Sequence, residues 1–122
     1  VLYPRYKTPK ISPLVIQSSA GTVFKAPIIC CDTLEDALKR YLEIGFEIVV
    51  LDEKSSLSLF DMPHRKRAIY VLGGESSGST LSVQKLSSYK VSIPMRNDVD
   101  SLNVAAAASI LFYSIKQNNL MC

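Results

Sequence analysis

The sequence contains few of the residues that bind metal ions or form disulfide bonds. Among its 122 residues there are one histidine and three cysteines, at Cys30, Cys31 and Cys122. An odd count with two adjacent cysteines is a poor disulfide framework and matches no metal-binding spacing, so we expect no metal and an intracellular protein, in the cytoplasm or an organelle. Cys30 and Cys31 end an apolar segment and are predicted to be small buried side chains. His64 lies in a loop of surface composition and is predicted to be solvated.

Long hydrophobic runs and a strong excess of one charge are also missing. No apolar stretch has the length of a membrane span and no signal peptide is found, so a membrane protein is not expected. The formal net charge of +3 is compatible with a nucleic-acid partner but is common among proteins that bind none. A composition of 48% hydrophobic and 20% charged residues indicates one globular domain.

The chain alternates between strand patterns and helix patterns. A helix is predicted over 14–24, broken near Gly21, and another over 34–44, capped by Thr33 and ended by Gly45. Apolar strand patterns cover 25–31, 46–51 and 68–72. This alternation predicts an α/β fold with a mainly parallel sheet and flanking helices.

A glycine-rich loop follows the last of these strands. Gly73, Gly74 and Gly78 allow positive φ angles and close approach of the backbone to a ligand, which in open α/β folds binds at the carboxyl end of a strand. The spacing G-x-x-x-x-G also suggests a nucleotide-phosphate loop, but Ser79 stands where that motif needs lysine. Glu75 would repel the phosphates. A nucleotide-binding protein therefore stays a minor alternative.

A second polar loop leads into a helix near the C-terminus. The segment 93–95 is predicted to end a strand, and Asp100 or Ser101 to cap the helix that follows. That helix, over 105–115, is apolar on every side and is therefore expected to be buried. Two loops after two buried strands are expected to face one pocket.

Cations and aromatic residues also alternate near the start of the chain. Arg5, Lys7 and Lys10 lie close in sequence to Tyr3 and Tyr6. This combination suits a phosphate backbone with stacked bases, and an ordinary solvated loop explains it equally well.

The two loops resemble motifs of the SpoU/TrmH branch of the SPOUT RNA methyltransferases. The segment Val71–Gly78 is similar to the second motif of that family, and the segments 93–95 and 100–104 to its third. Upstream, 14–24 followed by 27–28 looks like the family's middle helix and next strand, so the resemblance covers nearly the whole chain. It implies an S-adenosylmethionine-dependent 2′-O-ribose methyltransferase acting on tRNA or rRNA. It also implies a deep C-terminal trefoil knot, and a homodimer with its active site at the interface.

The resemblance implies which residues form the site. The cofactor-binding positions are Leu72, Gly73, Gly78, Ile93, Met95 and Leu102. The polar side chains of the active site are Glu75, Ser101 and Asn103. Glu75 is expected to order its loop or to orient an arginine, and Ser101 and Asn103 to hydrogen-bond the ribose or the cofactor. Helix capping is the alternative role for these last two, less convincing for Asn103, which is expected inside the first turn.

The first motif of the family, with an asparagine and an arginine held essential for catalysis, has no match here. Arg5 has the wrong context, between Pro4 and Tyr6, so the catalytic arginine is assigned to no residue of this sequence. Residues 1–4 are typical of a strand end, and 1–122 is interpreted as a methyltransferase domain lacking its N-terminal portion. The alternative is a fragment or degenerate relative that binds cofactor or RNA without catalysis.

Overall fold

The computed structural model of the chain describes residues 1–6, 10–63, 66–73, 80–96 and 102–120, with no side chains described over 118–120. The chain divides into two compact units, Val1–Arg40 and Tyr41–Cys122. The predictions for Lys7, His64 and Cys122 fall outside the described residues.

The first unit contains a small parallel sheet and a broken helix. Strand β1 (Leu2–Pro4) pairs with β2 (Ile29–Cys31), which confirms a strand at the start of the chain. Helix α1 (Pro13–Ser18) is followed by a short 3-10 helix, Thr22–Phe24. Between them Ala20 and Gly21 have φ angles of 49° and 76°, so a left-handed backbone breaks the helix near Gly21, where the sequence predicts a break.

The cysteines of β2 are not buried, contrary to the prediction. Cys30 is exposed and Cys31 is half-buried, with its thiol donating to the Tyr3 carbonyl oxygen at 3.4 Å. Burial raises the pKa of the Cys31 thiol, and the neighbouring Cys30 raises it further. The apolar run suggested a core strand, but a sheet of two strands with three residues each covers little side-chain surface.

Helix α2 (Leu34–Glu43) has the two ends that the sequence predicts. Thr33 Oγ1 accepts a hydrogen bond from the Asp36 backbone N–H at 3.2 Å and donates one to Asp36 Oδ2 at 2.7 Å. This reciprocal pair occupies an otherwise orphan N–H of the first turn. Gly45, with φ of 84°, turns the chain out of the helix and into the next strand.

Replacing Thr33 with alanine is expected to destabilise the chain by about 1 kcal/mol, because the first turn of α2 loses its side-chain acceptor. Urea unfolding followed by circular dichroism measures the change. Thr33→Ser keeps the hydroxyl and is the matched control. Equal losses for the two variants would contradict the capping role.

The second unit contains a three-stranded sheet in the order β4-β3-β5, with both pairs of strands parallel. Its strands are β3 (Glu47–Leu51), β4 (Ala68–Val71) and β5 (Tyr89–Val91), and its helices are α3 (Leu81–Lys85) and α4 (Val104–Leu120). In the register, Val49 lies opposite Tyr70 on one side and Tyr89 on the other. The predicted α/β class with parallel pairing is confirmed.

Both faces of β3 are covered, which explains its apolar run over 48–51. Ile48, Val49 and Val50 are all fully buried although successive side chains point to opposite faces. One face belongs to a cluster, called here the core cluster, made of Val49, Leu59, Met62, Val91 and Leu111.

Helix α4 is buried along one stripe only, so the prediction of burial on every side is wrong for this chain. Leu111 and Ser114 are buried, whereas Phe112 and Tyr113 are 62% and 70% exposed. A helix lying on one sheet face can bury only the residues three or four apart that point toward that face. Among the described helices, none has the length and hydrophobicity needed to cross a membrane.

Candidate functional site

The two strands that precede the predicted loops end at one edge of the parallel sheet of the second unit. Strands β4 and β5 flank β3, with Val71 opposite Val50 and Val91 opposite Leu51. The backbone therefore leaves both β4 and β5 at the carboxyl edge of the sheet, at two points that are two strand spacings, about 10 Å, apart. This edge is where ligands bind in open α/β folds.

A connector between β3 and β4 fixes the exit of β5. The Ser92 N–H donates to the Leu57 carbonyl at 2.8 Å, and the Leu59 N–H donates to the Ser92 carbonyl at 2.8 Å. Ser55 Oγ donates to the Lys90 carbonyl at 2.7 Å. These bonds extend the sheet by a parallel bridge between Ser58 and Ser92 and so hold the backbone that leads into the second loop.

Sequence reasoning missed this supporting role of the connector. The alternation Leu57-Ser58-Leu59 is the signal that could have predicted a strand-like segment with one buried face. The strand that it supports is also shorter than expected, because β5 ends at Val91 rather than within 93–95.

Three of the predicted cofactor residues, Leu72, Gly73 and Ile93, come within two residues of the ends of β4 and β5 at this edge. Leu72 and Ile93 are partly buried and pack against the core cluster that contains Leu111 of α4. Gly73 and Leu102 are half-buried, and Met95 is 38% exposed. The core cluster thus places the first residues of both loops on a common support. Gly78, the remaining predicted position, lies outside the described residues.

Of the predicted catalytic residues, only Asn103 is described, and it is the N-cap of α4. Its Oδ1 accepts from the Ala105 N–H at 2.9 Å, and its carbonyl accepts from the Ala107 N–H at 3.0 Å. The sequence argued against capping here because Asn103 was expected inside the first turn, but α4 begins only at Val104. That expectation is corrected. The prediction that Asp100 or Ser101 caps this helix is therefore wrong, because the helix starts later in the chain. Glu75, Asp100 and Ser101 themselves lie outside the described residues.

Replacing Asn103 with alanine is expected to cost about 1 kcal/mol of stability, since α4 loses its N-terminal side-chain acceptor. Asn103→Asp keeps an oxygen in place and suits the helix dipole, so it should stay within about 0.5 kcal/mol of the parent chain. Chemical unfolding of the three proteins is the measurement. If Asn103→Asp lost as much stability as Asn103→Ala, the fold would require the amide group itself and not merely an oxygen acceptor at the N-cap.

Electrostatics near the sheet centre involve Tyr70 of β4. Burial raises the pKa of its hydroxyl, and the nearby Glu47 carboxylate adds to the effect. Tyr70 therefore stays protonated at neutral pH and is no candidate base. Within the described ranges, no group of three or more His, Cys, Asp or Glu side chains is arranged to hold a metal ion.

Comparison with known proteins agrees with this arrangement. A profile of the SpoU rRNA Methylase family matches residues 1–113, and the chain belongs to that family. The 23S rRNA (guanosine-2'-O-)-methyltransferase RlmB of Xylella fastidiosa is 30% identical over 122 residues, which is 99% of this chain and 49% of that protein. An uncharacterized tRNA/rRNA methyltransferase of Archaeoglobus fulgidus is 31% identical over 121 residues, 96% of this chain and 52% of that protein.

A solved structure shows the same fold. The SpoU methyltransferase AviRb from Streptomyces viridochromogenes, crystallised in complex with the cofactor AdoMet, superposes with a TM-score of 0.87 at 24% identity. The match covers 99% of this chain and 50% of AviRb. The chain spans about half the length of the curated relatives it matches.

Proposed function

We propose that this chain is part of an S-adenosylmethionine-dependent 2′-O-ribose methyltransferase that modifies tRNA or rRNA. The observation that supports the proposal is that β4 and β5, the strands before the two motif-like segments, both end at one carboxyl edge of a parallel sheet. Membership of the SpoU rRNA Methylase family supports it, as does the naming of two relatives as RNA methyltransferases.

The residues described at this edge fit an adenosine group. Leu72, Ile93 and Leu102 are each half-buried, so each offers apolar surface against which an adenine ring can lie. We assign the cofactor to these residues together with Gly73, Gly78 and Met95. Because glycine lacks a Cβ atom, the backbone N–H and C=O groups at these positions can approach the ligand and bind its polar atoms.

The reaction requires positioning more than strong chemistry from the protein. The cofactor supplies a methyl group activated by its sulfonium. The protein has to hold the ribose 2′-hydroxyl in line with that group and assist removal of the hydroxyl proton. We propose that Glu75 orients an arginine that is not assigned within these 122 residues, and that Ser101 and Asn103 bind the ribose or the cofactor.

Asn103 combines two roles in this proposal. Its Oδ1 caps α4, so the side chain is held rigidly at the start of the helix. An amide so fixed is well placed to orient a substrate without entropic cost on binding. Asn103→Asp would then keep the fold and lose methyl transfer, whereas a purely structural cap would leave transfer intact.

The proposed assembly follows the family. We propose that residues 1–122 belong to a methyltransferase domain with a C-terminal trefoil knot, and that the active protein is an intracellular homodimer with no metal. The exposed aromatic side chains Phe112 and Tyr113 on α4 support a dimer, because large apolar side chains exposed together commonly mark an interface.

Calorimetric titration with S-adenosylhomocysteine, with ATP–magnesium as the comparison ligand, tests the cofactor assignment. Binding of the first ligand and not the second is expected. Binding of ATP alone would instead favour the nucleotide-phosphate alternative. Transfer of a radiolabelled methyl group to bulk tRNA or rRNA then separates an enzyme from a relative that only binds.

A further inference from the structure

A cation and two aromatic rings contact one another on the second unit. The Arg67 guanidinium lies over the Phe46 ring, 5.1 Å from its centroid. The Tyr41 ring meets Phe46 edge-on, with centroids 5.2 Å apart and planes at 73°. We call Tyr41, Phe46 and Arg67 the Arg67 cluster.

The Arg67 cluster lies at the opposite edge of the sheet from the candidate cofactor site. Phe46 directly precedes β3 and Arg67 directly precedes β4, and the Glu47 N–H donates to the Arg67 carbonyl at 2.9 Å. Because β3 has five residues, the two edges are about 16 Å apart. The cluster therefore takes no part in cofactor binding.

Arg67 is exposed, and no ion pair between described residues neutralises its guanidinium. The two ion pairs between described residues are Arg5 with Asp32, at 3.5 Å, and Lys39 with Asp36, at 3.9 Å. Neither includes Arg67, and the adjacent Lys66 is also exposed. Glu47, next to Phe46 in sequence, is half-buried and its charge acts on Tyr70.

The contrast with the N-terminal cations is informative. Arg5 lies beside the Asp32 carboxylate. In the sequence, Arg5 with Tyr3 and Tyr6 suited either RNA binding or an ordinary solvated loop. Arg67 instead lies over an aromatic ring and beside Gly45, where a Cβ atom would meet its Nη1 at 3.9 Å. The residue is nevertheless exposed, so its guanidinium can be reached by phosphate oxygens or by a base.

We propose that the Arg67 cluster is a second contact surface for RNA, which binds a phosphodiester a few nucleotides from the ribose that is methylated. This inference rests on the proposed function, because it takes the substrate to be RNA. A polyanion suits an exposed guanidinium beside an exposed lysine. The distance between the two sheet edges means that the contact anchors the RNA strand and does not touch the reacting atoms.

The test compares the parent chain with two variants for binding of a fluorescein-labelled RNA hairpin at salt concentrations from about 50 to about 200 mM. Over this range the affinity of a protein that contacts phosphates falls steeply with salt, so the loss of one contact can be measured. Arg67→Met keeps the aliphatic stem over Phe46 and removes the charge. Lys85→Met removes an exposed charge from α3, on a residue outside the Arg67 cluster, and is the matched control. S-adenosylhomocysteine titration of each protein monitors the cofactor site.

Arg67→Met is expected to weaken RNA binding about tenfold at low salt, the loss of one charge-assisted hydrogen bond. The slope of log affinity against log salt should fall by about 0.7, the share of one phosphate contact. Lys85→Met should change both the RNA affinity and the salt slope much less than Arg67→Met does. Cofactor binding should be equal in all three proteins. Equal effects of the two substitutions would overturn the proposal, as would absence of RNA binding by a parent chain that binds S-adenosylhomocysteine. If the parent chain bound neither ligand, the proposed function would fail with it.

Discussion

Replacing Leu111 with alanine is expected to destabilise the chain by about 3 kcal/mol, the usual cost of emptying a well-packed leucine site. Leu111 is 2% exposed and belongs to the core cluster with Val49, Leu59, Met62 and Val91. The cavity would open beneath α4, the helix whose first turn follows the candidate site. Urea unfolding at several protein concentrations measures the change.

Phe112→Ala is the control for this prediction, because it removes a larger side chain from the next position of the same helix. Phe112 is 62% exposed, so its loss should alter the stability of the monomer by no more than about 0.5 kcal/mol. If α4 forms the proposed dimer interface, Phe112→Ala would instead lower the stability at high protein concentration only. A loss at Phe112 as large as at Leu111, independent of concentration, would contradict the one-sided burial of the helix.

Leu102→Asp is expected to weaken S-adenosylhomocysteine binding by about a hundredfold or more, because a charge replaces apolar surface that the adenine would cover. The same change should alter folding little. Leu102 is only half-buried and directly precedes the N-cap Asn103, where a negative charge interacts favourably with the helix dipole. The two effects therefore separate binding from stability.

Leu102→Met keeps the apolar character and should bind within about threefold of the parent chain, as volume-conserving exchanges between these residues usually do. Calorimetric titration gives the affinities and thermal unfolding the stabilities. Full binding by the aspartate variant would remove Leu102 from the cofactor site. Loss of binding together with unfolding would place its role in the fold.

Sequence reasoning succeeded where the signal is local. The cap at Thr33, the turn at Gly45 and the break near Gly21 depend on backbone preferences of single residues and their immediate neighbours, and the structure contains all three. The pattern over 46–51 correctly indicated a strand, and the burial of Ile48, Val49 and Val50 shows in addition that both of its faces are covered. The two motif-like segments were likewise identified from short stretches of neighbouring residues.

The predictions that failed concern what lies beside each element. The apolar pattern of α4 matches a buried helix, but among the described residues of this helix Leu111 and Ser114 are the buried ones. Cys30 belongs to an apolar strand, yet its two-stranded sheet leaves it exposed. In both cases burial is a property of the packing partner, which the residue pattern does not contain.

By itself, the sequence determined the alternation of elements, their local ends and the family-like loops, because each depends on neighbouring residues. Only the tertiary structure decided that Asn103 caps α4, that Leu57 and Leu59 hold Ser92, and that Arg67 stacks on Phe46. The last two contacts join residues far apart in the chain, and the first depends on where α4 starts. Such contacts form when parallel strands pair and bring distant segments side by side, which no short stretch of sequence can specify.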